Sequence, residues 1–274
     1  MAGSAHVFLM CPPEYFTVAY VINPWMHGNL KRIDNNVARQ QWRALYDAIT
    51  DRATVRLVAP QPGSPDMVFT ANAGLVKGRR FVCSRFRYPE RQYEEPYFAD
   101  WFMDRGYEVS LMPRDCPFEG AGDALFDRAE SLLWMAHGHR SIEGARKLLE
   151  GRLDVEVALL KLVDTRFYHL DTCFCPLEGG FLLYYPPAFD DDSRAEIERR
   201  VPAARRIAIA EEDALAFACN AVGIDSTVIV NRATPALAKT LARDGFEVVQ
   251  TPLSEFMKAG GSAKCLTLRL DELE

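Results

Sequence analysis

Four short stretches of the 274-residue chain combine residue types that can do covalent chemistry. Near the C-terminus, Gly260-Gly261-Ser262-Ala263-Lys264-Cys265 carries one cysteine on a glycine pair to the start of the β-patterned run Leu266-Thr267-Leu268. Glycines there permit a tight turn or a close approach to the backbone. Upstream stand His169 with Asp171, Glu119 with Asp123, and Asp66 with Asn72. A thiolate nucleophile needs a histidine to manage protons. Paired acidic groups suit a planar cation, because guanidinium offers a rigid fork of donors that carboxylates accept two at a time. A cysteine, a histidine and several carboxylates with no metal-ligand cluster therefore point to attack on a guanidinium carbon. Singly, each has a plainer reading. Cys265 fits a buried thiol in a terminal strand, Asp66 a turn, Asp123 a cap, and His169 a satisfied histidine at a strand edge.

What would bring the four together is a radial fold, and the sequence carries an internal repeat. Residues 102–113 (FMDRGYEVSLMP) parallel 241–252 (LARDGFEVVQTP). In both, a helix ends at glycine, an aromatic residue and Glu-Val open a strand, and proline closes it. Val55–Pro60 has the same strand-then-proline form, and residues 155–162 and 206–210 are candidate cousins. Pro60 lies six residues before Asp66, and Pro113 six before Glu119. Helix-then-strand units recurring about five times predict a radially repeated α/β architecture rather than one open sheet.

Between these units, Asp34 or Asn35 is expected to cap a helix reaching Ile49, with Val37, Trp42, Leu45 and Ile49 on one face. Residues 74–76 and 81–84 read as a hairpin around Lys77-Gly78-Arg79, residues 90–105 as a helix, and residues 141–151 as another. Strand pairs are expected over 174–176 with 180–185, and over 218–223 with 227–231. Asp190-Asp191-Asp192-Ser193 reads as a helix start, not a metal site. With no linker or low-complexity segment, residues 1–274 are expected to form a single catalytic domain.

Composition narrows the function. Hydrophobic residues make up 49% and charged residues 26%, ordinary for a globular chain, and the net charge of −6 with no basic run disfavours nucleic acid. No apolar stretch approaches the ~20 residues that span a bilayer. The first residues form neither a signal peptide nor an anchor. Seven cysteines without a secretion signal predict reduced thiols and a cytoplasmic setting. His137-Gly138-His139 lacks the additional Asp/His blocks of a binuclear metal hydrolase, and Cys173 and Cys175 lack a second pair for zinc, so neither a metal nor a cofactor is expected.

Phe118-Glu119-Gly120-Ala121-Gly122-Asp123, His169-Leu170-Asp171-Thr172 and residues 260–267 resemble, in that order, the signature blocks of the guanidine-modifying pentein superfamily. That superfamily includes arginine deiminases, dimethylarginine dimethylaminohydrolases and amidinotransferases. The resemblance runs over residues 6–270 and implies a five-bladed, pseudo-symmetric α/β propeller, in accord with the repeat. It implies Cys265 as nucleophile, His169 as general acid/base and Glu119 as a guanidinium contact, with Asp66 and Asp171 lining the substrate pocket. Met10-Cys11-Pro12-Pro13-Glu14-Tyr15-Phe16, residues 21–26 and Asn72 look like the arginine dihydrolase branch, which converts arginine to ornithine, carbon dioxide and two ammonia.

Asn72 stands where the superfamily often has a carboxylate. An amide has both donor and acceptor and can hold a neutral ureido group as well as a cation. The resemblance implies that Asn72 serves a second hydrolysis. For the substrate carboxylate, Arg140 and Arg91 resemble substrate-binding positions, and Arg85 is a further candidate. Asn23 is a candidate contact for the polar end of the substrate. The expected partner is thus a small guanidine; homo-oligomerisation is left open. The alternatives are a deiminase stopping at citrulline, a dimethylarginine dimethylaminohydrolase, or a non-catalytic pentein of the kind associated with ribosome biogenesis, which lacks the Cys/His pair.

Overall fold

A computed structural model describes residues 6–272, and these form five three-stranded sheets. In chain order the strands are β1 (Val7–Met10) and β2 (Thr54–Leu57); β3 (Gly74–Lys77), β4 (Arg80–Cys83) and β5 (Glu108–Leu111); β6 (Ala124–Phe126), β7 (Leu132–His137) and β8 (Glu156–Lys161); β9 (Phe174–Leu177), β10 (Phe181–Tyr184) and β11 (Arg206–Ala208); β12 (Val222–Ile224), β13 (Thr227–Val230) and β14 (Glu247–Gln250). β15 (Leu268–Arg269) returns antiparallel to β1 and completes the first sheet from the other end of the chain. Every sheet follows one plan: an antiparallel pair, then a third strand parallel to its neighbour. Five helices make the parallel crossovers: α1 (Asn35–Thr50), α2 (Glu95–Met103), α3 (Ala145–Leu153), α4 (Asp191–Arg200) and α5 (Pro235–Arg243). This is the five-bladed α/β propeller that the family resemblance implies, in accord with the radial architecture read from the repeat.

The repeated sequence has a physical counterpart. Both α2 and α5 end on a left-handed glycine, Gly106 at φ +72° and Gly245 at φ +95°. In both, the following aromatic N–H reaches back to a helix carbonyl, Tyr107 to Phe102 at 3.1 Å and Phe246 to Leu241 at 2.9 Å. That bond closes a helix and aims the chain into the next strand. At the other ends, Asp34 accepts from the N–H groups of Asn36 and Val37, and Asp190 from that of Ser193. The acidic run at 190–193 is a helix start, as read.

Four local expectations differ. The helix over 90–105 breaks into Pro89–Gln92 and α2, because Pro96 cannot continue a preceding turn. The buried face of α1 carries Ala38 in place of Val37. α3 starts only at Ala145, and the strand over 218–223 only at Val222. Residues 217–220 instead form a turn closed by Asn220 N–H on the Phe217 carbonyl at 3.0 Å.

That turn completes a set. The first strands β3, β6, β9 and β15 are buried throughout and β12 at both ends, whereas the third strands β2, β5 and β14 have exposed residues at both ends. Just before each of these buried strands the chain makes a tight turn: Thr70–Ala73 before β3, Gly120–Gly122 before β6, Leu170–Thr172 before β9, residues 217–220 before β12, and residues 262–267 before β15. The first two turns touch backbone to backbone. Gly120 sits at φ +59°, and a Cβ on it would lie 2.7–2.8 Å from the N, O and Cα of Gly74. Gly120→Ala is therefore expected to cost about 2–4 kcal/mol in urea unfolding, from left-handed strain and overpacking together. Gly151→Ala, in α3 with open space around it, is expected to cost nothing. Equal stability of the two variants would contradict the packing described.

Candidate active site

Cys265 lies in the turn before β15, buried, with its Sγ 3.4 Å from Asp171 Oδ2 and 3.0 Å from Asn220 Nδ2. The glycine pair before it is required by close approach of protein. A Cβ on Gly260 would meet the Tyr168 hydroxyl at 2.7 Å, and one on Gly261 the Phe69 ring at 2.5 Å. Burial pushes the Cys265 thiol well above its ordinary range, and the neighbouring Asp171 pushes it further. Burial also raises Asp171 itself, to about 7, against the pull of Lys264. The carboxylate thus opposes ionisation of the thiol, while the protonated thiol, as a donor, favours the carboxylate.

Glu119 joins the next part of the site. Its Oε2 accepts from Arg140 Nη1 at 2.9 Å and lies 2.8 Å from His169 Nε2, while Oε1 accepts from Arg87 N–H at 3.1 Å. Burial opposes its ionisation, but Arg140 and then His169 outweigh it and hold the carboxyl well below the usual range. An ionised carboxylate only accepts, so it assigns the Nε2 proton to His169. The other ring nitrogen, Nδ1, is buried with no protein partner. Asp123 holds this group in place. It accepts from the Ser141 hydroxyl at 2.6 Å and from Leu170 N–H at 3.2 Å, and the same hydroxyl accepts from Glu119 N–H at 3.0 Å. One carboxylate thereby ties the turn before β6 to the turn before β9. Burial raises its pKa to about 6.

Asp66, Asn72 and Arg91 form the third part. The buried Arg91 guanidinium donates to both carboxylate oxygens of Glu94 at 2.8 and 2.9 Å, to the Asp66 carbonyl at 3.1 Å, and to Asn72 Oδ1 at 2.8 Å. Guanidinium cannot accept, so this contact fixes the orientation of the Asn72 amide. Asn72 Nδ2 is left buried and unpartnered. It borders the same spot as His169 Nδ1: a Cβ on Gly122 would fall 2.3 Å from one and 3.4 Å from the other. Asp66 Oδ2 accepts from Tyr20 at 3.0 Å, and Oδ1 has no partner. Burial raises the Asp66 pKa, with Arg91 and Tyr20 working against it.

Asn23, Asp66, Asn72, Arg91, Arg140 and Cys265 line one narrow cavity. Ile22, Asn23, Arg140 and Tyr168 also face an open vestibule of about 480 Å³, so they form the wall between the two. Arg140 is held there by the Ile22 carbonyl at 3.0 Å and by the rings of Tyr88 and Tyr168. Two candidates stand differently from expectation. Arg85 does not line the cavity; it pairs with Glu95 at 2.6 Å, and its backbone pairs with Phe118. Asn23 does line it, but its Oδ1 caps the turn Pro24–Met26 and its Nδ2 donates to the Ala259 carbonyl at 3.0 Å. Asn220 is the residue that the sequence reading missed. The signal was the repeat: five blades call for a fifth turn, and Asn220 stands two residues before β12, as Asn72 stands two before β3. Among the described residues, no three His, Cys, Asp or Glu side chains are grouped to hold a metal.

In the cavity lie an acceptor for a cation, an amide and a thiol, with the His169 imidazole and the Asp171 carboxyl buried beside its lining residues Asn72 and Cys265. That set matches the chemistry of guanidine hydrolysis, and comparison with known proteins agrees. The family profile for N,N dimethylarginine dimethylhydrolase, eukaryotic, matches residues 16–271. The bifunctional arginine dihydrolase/ornithine cyclodeaminase AgrE of Nostoc sp. strain PCC 7120 is 57% identical over 97% of this chain, which spans only 38% of AgrE. The N(G),N(G)-dimethylarginine dimethylaminohydrolase of Mycobacterium tuberculosis is 38% identical over 96% of this chain and 85% of its own length. The crystal structure of the N-terminal domain of ArgZ, a cyanobacterial arginine dihydrolase, was solved as a substrate complex. It superposes with a TM-score of 0.97 at 54% identity, covering 98% of this chain and 99% of that domain. The chain belongs to the dimethylarginine dimethylaminohydrolase family.

Proposed function

We propose that this chain is, by itself, a catalytic domain that hydrolyses L-arginine to ornithine, carbon dioxide and two ammonia. The observation that carries this reading is the orientation of Asn72, a residue lining the cavity, whose Oδ1 is pinned by Arg91 and whose N–H is left without a protein partner. Arginine enters from the vestibule with its guanidinium between Asp66 and Asp171, and its carboxylate end towards Arg140. The substrate cation offsets the buried carboxylates and favours the Cys265 thiolate. The thiolate attacks the guanidinium carbon, forming the C–S bond. His169 gives a proton to the departing nitrogen, and ammonia leaves. Water then adds to the covalent thiouronium with His169 as base, the C–S bond breaks, and a ureido group remains.

A second round requires the neutral ureido group to stay bound. Asn72 N–H is placed to donate to its oxygen, which a carboxylate at this position would repel. Attack by Cys265 expels the second ammonia. Water releases the resulting thiocarbamate as an N-carboxylate, which loses carbon dioxide to give ornithine. AgrE is named an arginine dihydrolase, which supports this outcome over one that stops at citrulline. The reaction uses side chains alone, with no cofactor, and the domain is assigned to the cytoplasm.

Mass spectrometry of products should find one ornithine and two ammonia per arginine, whereas accumulating citrulline would contradict the proposal. In Asn72→Asp, the ornithine yield is expected to fall about tenfold or more while arginine consumption falls less; an unchanged yield would remove Asn72 from the mechanism.

A second test follows from the opposition between Asp171 and Cys265. Above pH 7 the Asp171 charge holds the free thiol protonated, so Asp171→Asn lowers the thiol pKa. Iodoacetamide should then label Cys265 about threefold faster at pH 8, even as arginine turnover drops. Slower labelling would show that Asp171 does not act on the thiol in this way.

A further inference from the structure

The turn before β12 contributes Asn220, and this side chain is fully buried with both ends of its amide engaged. Oδ1 accepts from two backbone groups of the nucleophile turn, Ser262 N–H at 3.0 Å and Cys265 N–H at 3.1 Å. Those two donors fix which end of the amide is oxygen. Nδ2 therefore faces Cys265 Sγ at 3.0 Å, and it also donates to the Asp171 carbonyl at 3.0 Å. The Asn220 carbonyl in turn accepts from Lys264 N–H at 3.1 Å. One amide thus shapes the cysteine turn through its oxygen and touches the reacting atom through its nitrogen.

We propose that Asn220 is a catalytic residue, whose carboxamide N–H stabilises the Cys265 sulfur as a thiolate. A neutral donor is suited to the task, since its bond strengthens when the sulfur becomes an anion and no proton is transferred. When the C–S bond forms, negative charge leaves the sulfur and the N–H···S bond weakens. When the C–S bond breaks, the charge returns and the bond is restored. Asn220 therefore assists both attack and departure in each round. The titratable groups around the thiol divide by sign. Asp171 at 3.4 Å disfavours the thiolate, as does the neighbouring Tyr168 once ionised, whereas adjacent Lys264 favours it. Across the cavity stand Asp66, Arg91 and Arg140, and His169 is paired with Glu119 through Nε2. Asn220 donates to the sulfur without carrying a charge, as the backbone N–H of Ser262 in the same turn also does, and it is the side chain that does so.

The proposal rests on Cys265 being the nucleophile, and its test is read without arginine. The rate of Cys265 alkylation by iodoacetamide is followed against pH by peptide mass spectrometry. Asn220→Asp keeps an acceptor for the two backbone N–H groups, and Asn220→Ala removes the donor without adding charge. Both are expected to raise the alkylation midpoint by about one unit or more, with labelling at neutral pH about tenfold slower. For arginine, kcat should fall with the labelling rate and KM should change less. In unsubstituted enzyme carrying 15N-asparagine, the Asn220 side-chain NH2 signal should move through the Cys265 titration, and stand still in Cys265→Ala. That measurement decides the matter if the variants do not fold. A wild-type alkylation profile in the folded variants, or a stationary signal in the unsubstituted enzyme, would overturn the assignment. Both thiol signatures in an enzyme that leaves arginine intact would uphold Asn220 and sink the dihydrolase reading.

Discussion

Buried negative charge is the constraint on which this structure depends. Asp66, Glu94, Glu119, Asp123 and Asp171 are all buried in or beside one cavity, against the guanidinium groups of Arg91 and Arg140. A buried carboxylate is costly unless it is paired or hydrogen-bonded, and otherwise it keeps its proton. Glu119 is fully compensated by Arg140, His169 and Arg87 N–H, and it is the group held strongly ionised. Asp66 and Asp171 are not, and both are pushed towards the neutral form. In the proposed function, the substrate guanidinium between them completes the balance.

The fold supplies that arrangement by repetition. Each blade presents a tight turn before its buried first strand, and the turns are joined to one another by backbone and side-chain bonds. Ala71 N–H meets the Cys265 carbonyl at 3.1 Å, Lys264 N–H meets that of Asn220 at 3.1 Å, and Asp123 binds Leu170 N–H at 3.2 Å. Rigid placement matters because a nucleophile, an acid/base and charge acceptors act together only within a fraction of an ångström. Not every polar atom of the site is satisfied. Asp66 Oδ1, Asn72 Nδ2 and His169 Nδ1 remain without protein partners, and buried groups of this kind mark where a ligand completes the bonding.

Much of this was legible in the sequence because the chemistry sits in short, local blocks. The cysteine turn, the His169–Asp171 pair and the glycine-flanked Glu119 could be picked out by residue type and spacing, and the Gly-aromatic-Glu-Val repeat pointed to a ring. What was not legible depends on where side chains end. Arg85 was a reasonable carboxylate ligand until the helix break at Pro96 brought Glu95 against it. Asn23 reaches the cavity but serves the backbone of its own turn. Asn220 was hidden inside an expected strand that began four residues before β12, although the fivefold pattern called for a turn there. Arg91, a substrate-ligand candidate that lines the cavity, also orients Asn72, which only its side-chain bonds reveal.

The central claim is that a cation completes the buried charge of the site. Calorimetric titration of Cys265→Ala with arginine at pH 6.5, repeated in buffers of different ionisation enthalpy, counts the protons exchanged on binding. Asp171, with a pKa of about 7 in the free site, should lose its proton as the guanidinium arrives, so arginine is predicted to release protons and neutral citrulline to release few or none. Equal proton counts for the two ligands, or proton uptake with arginine, would contradict the account.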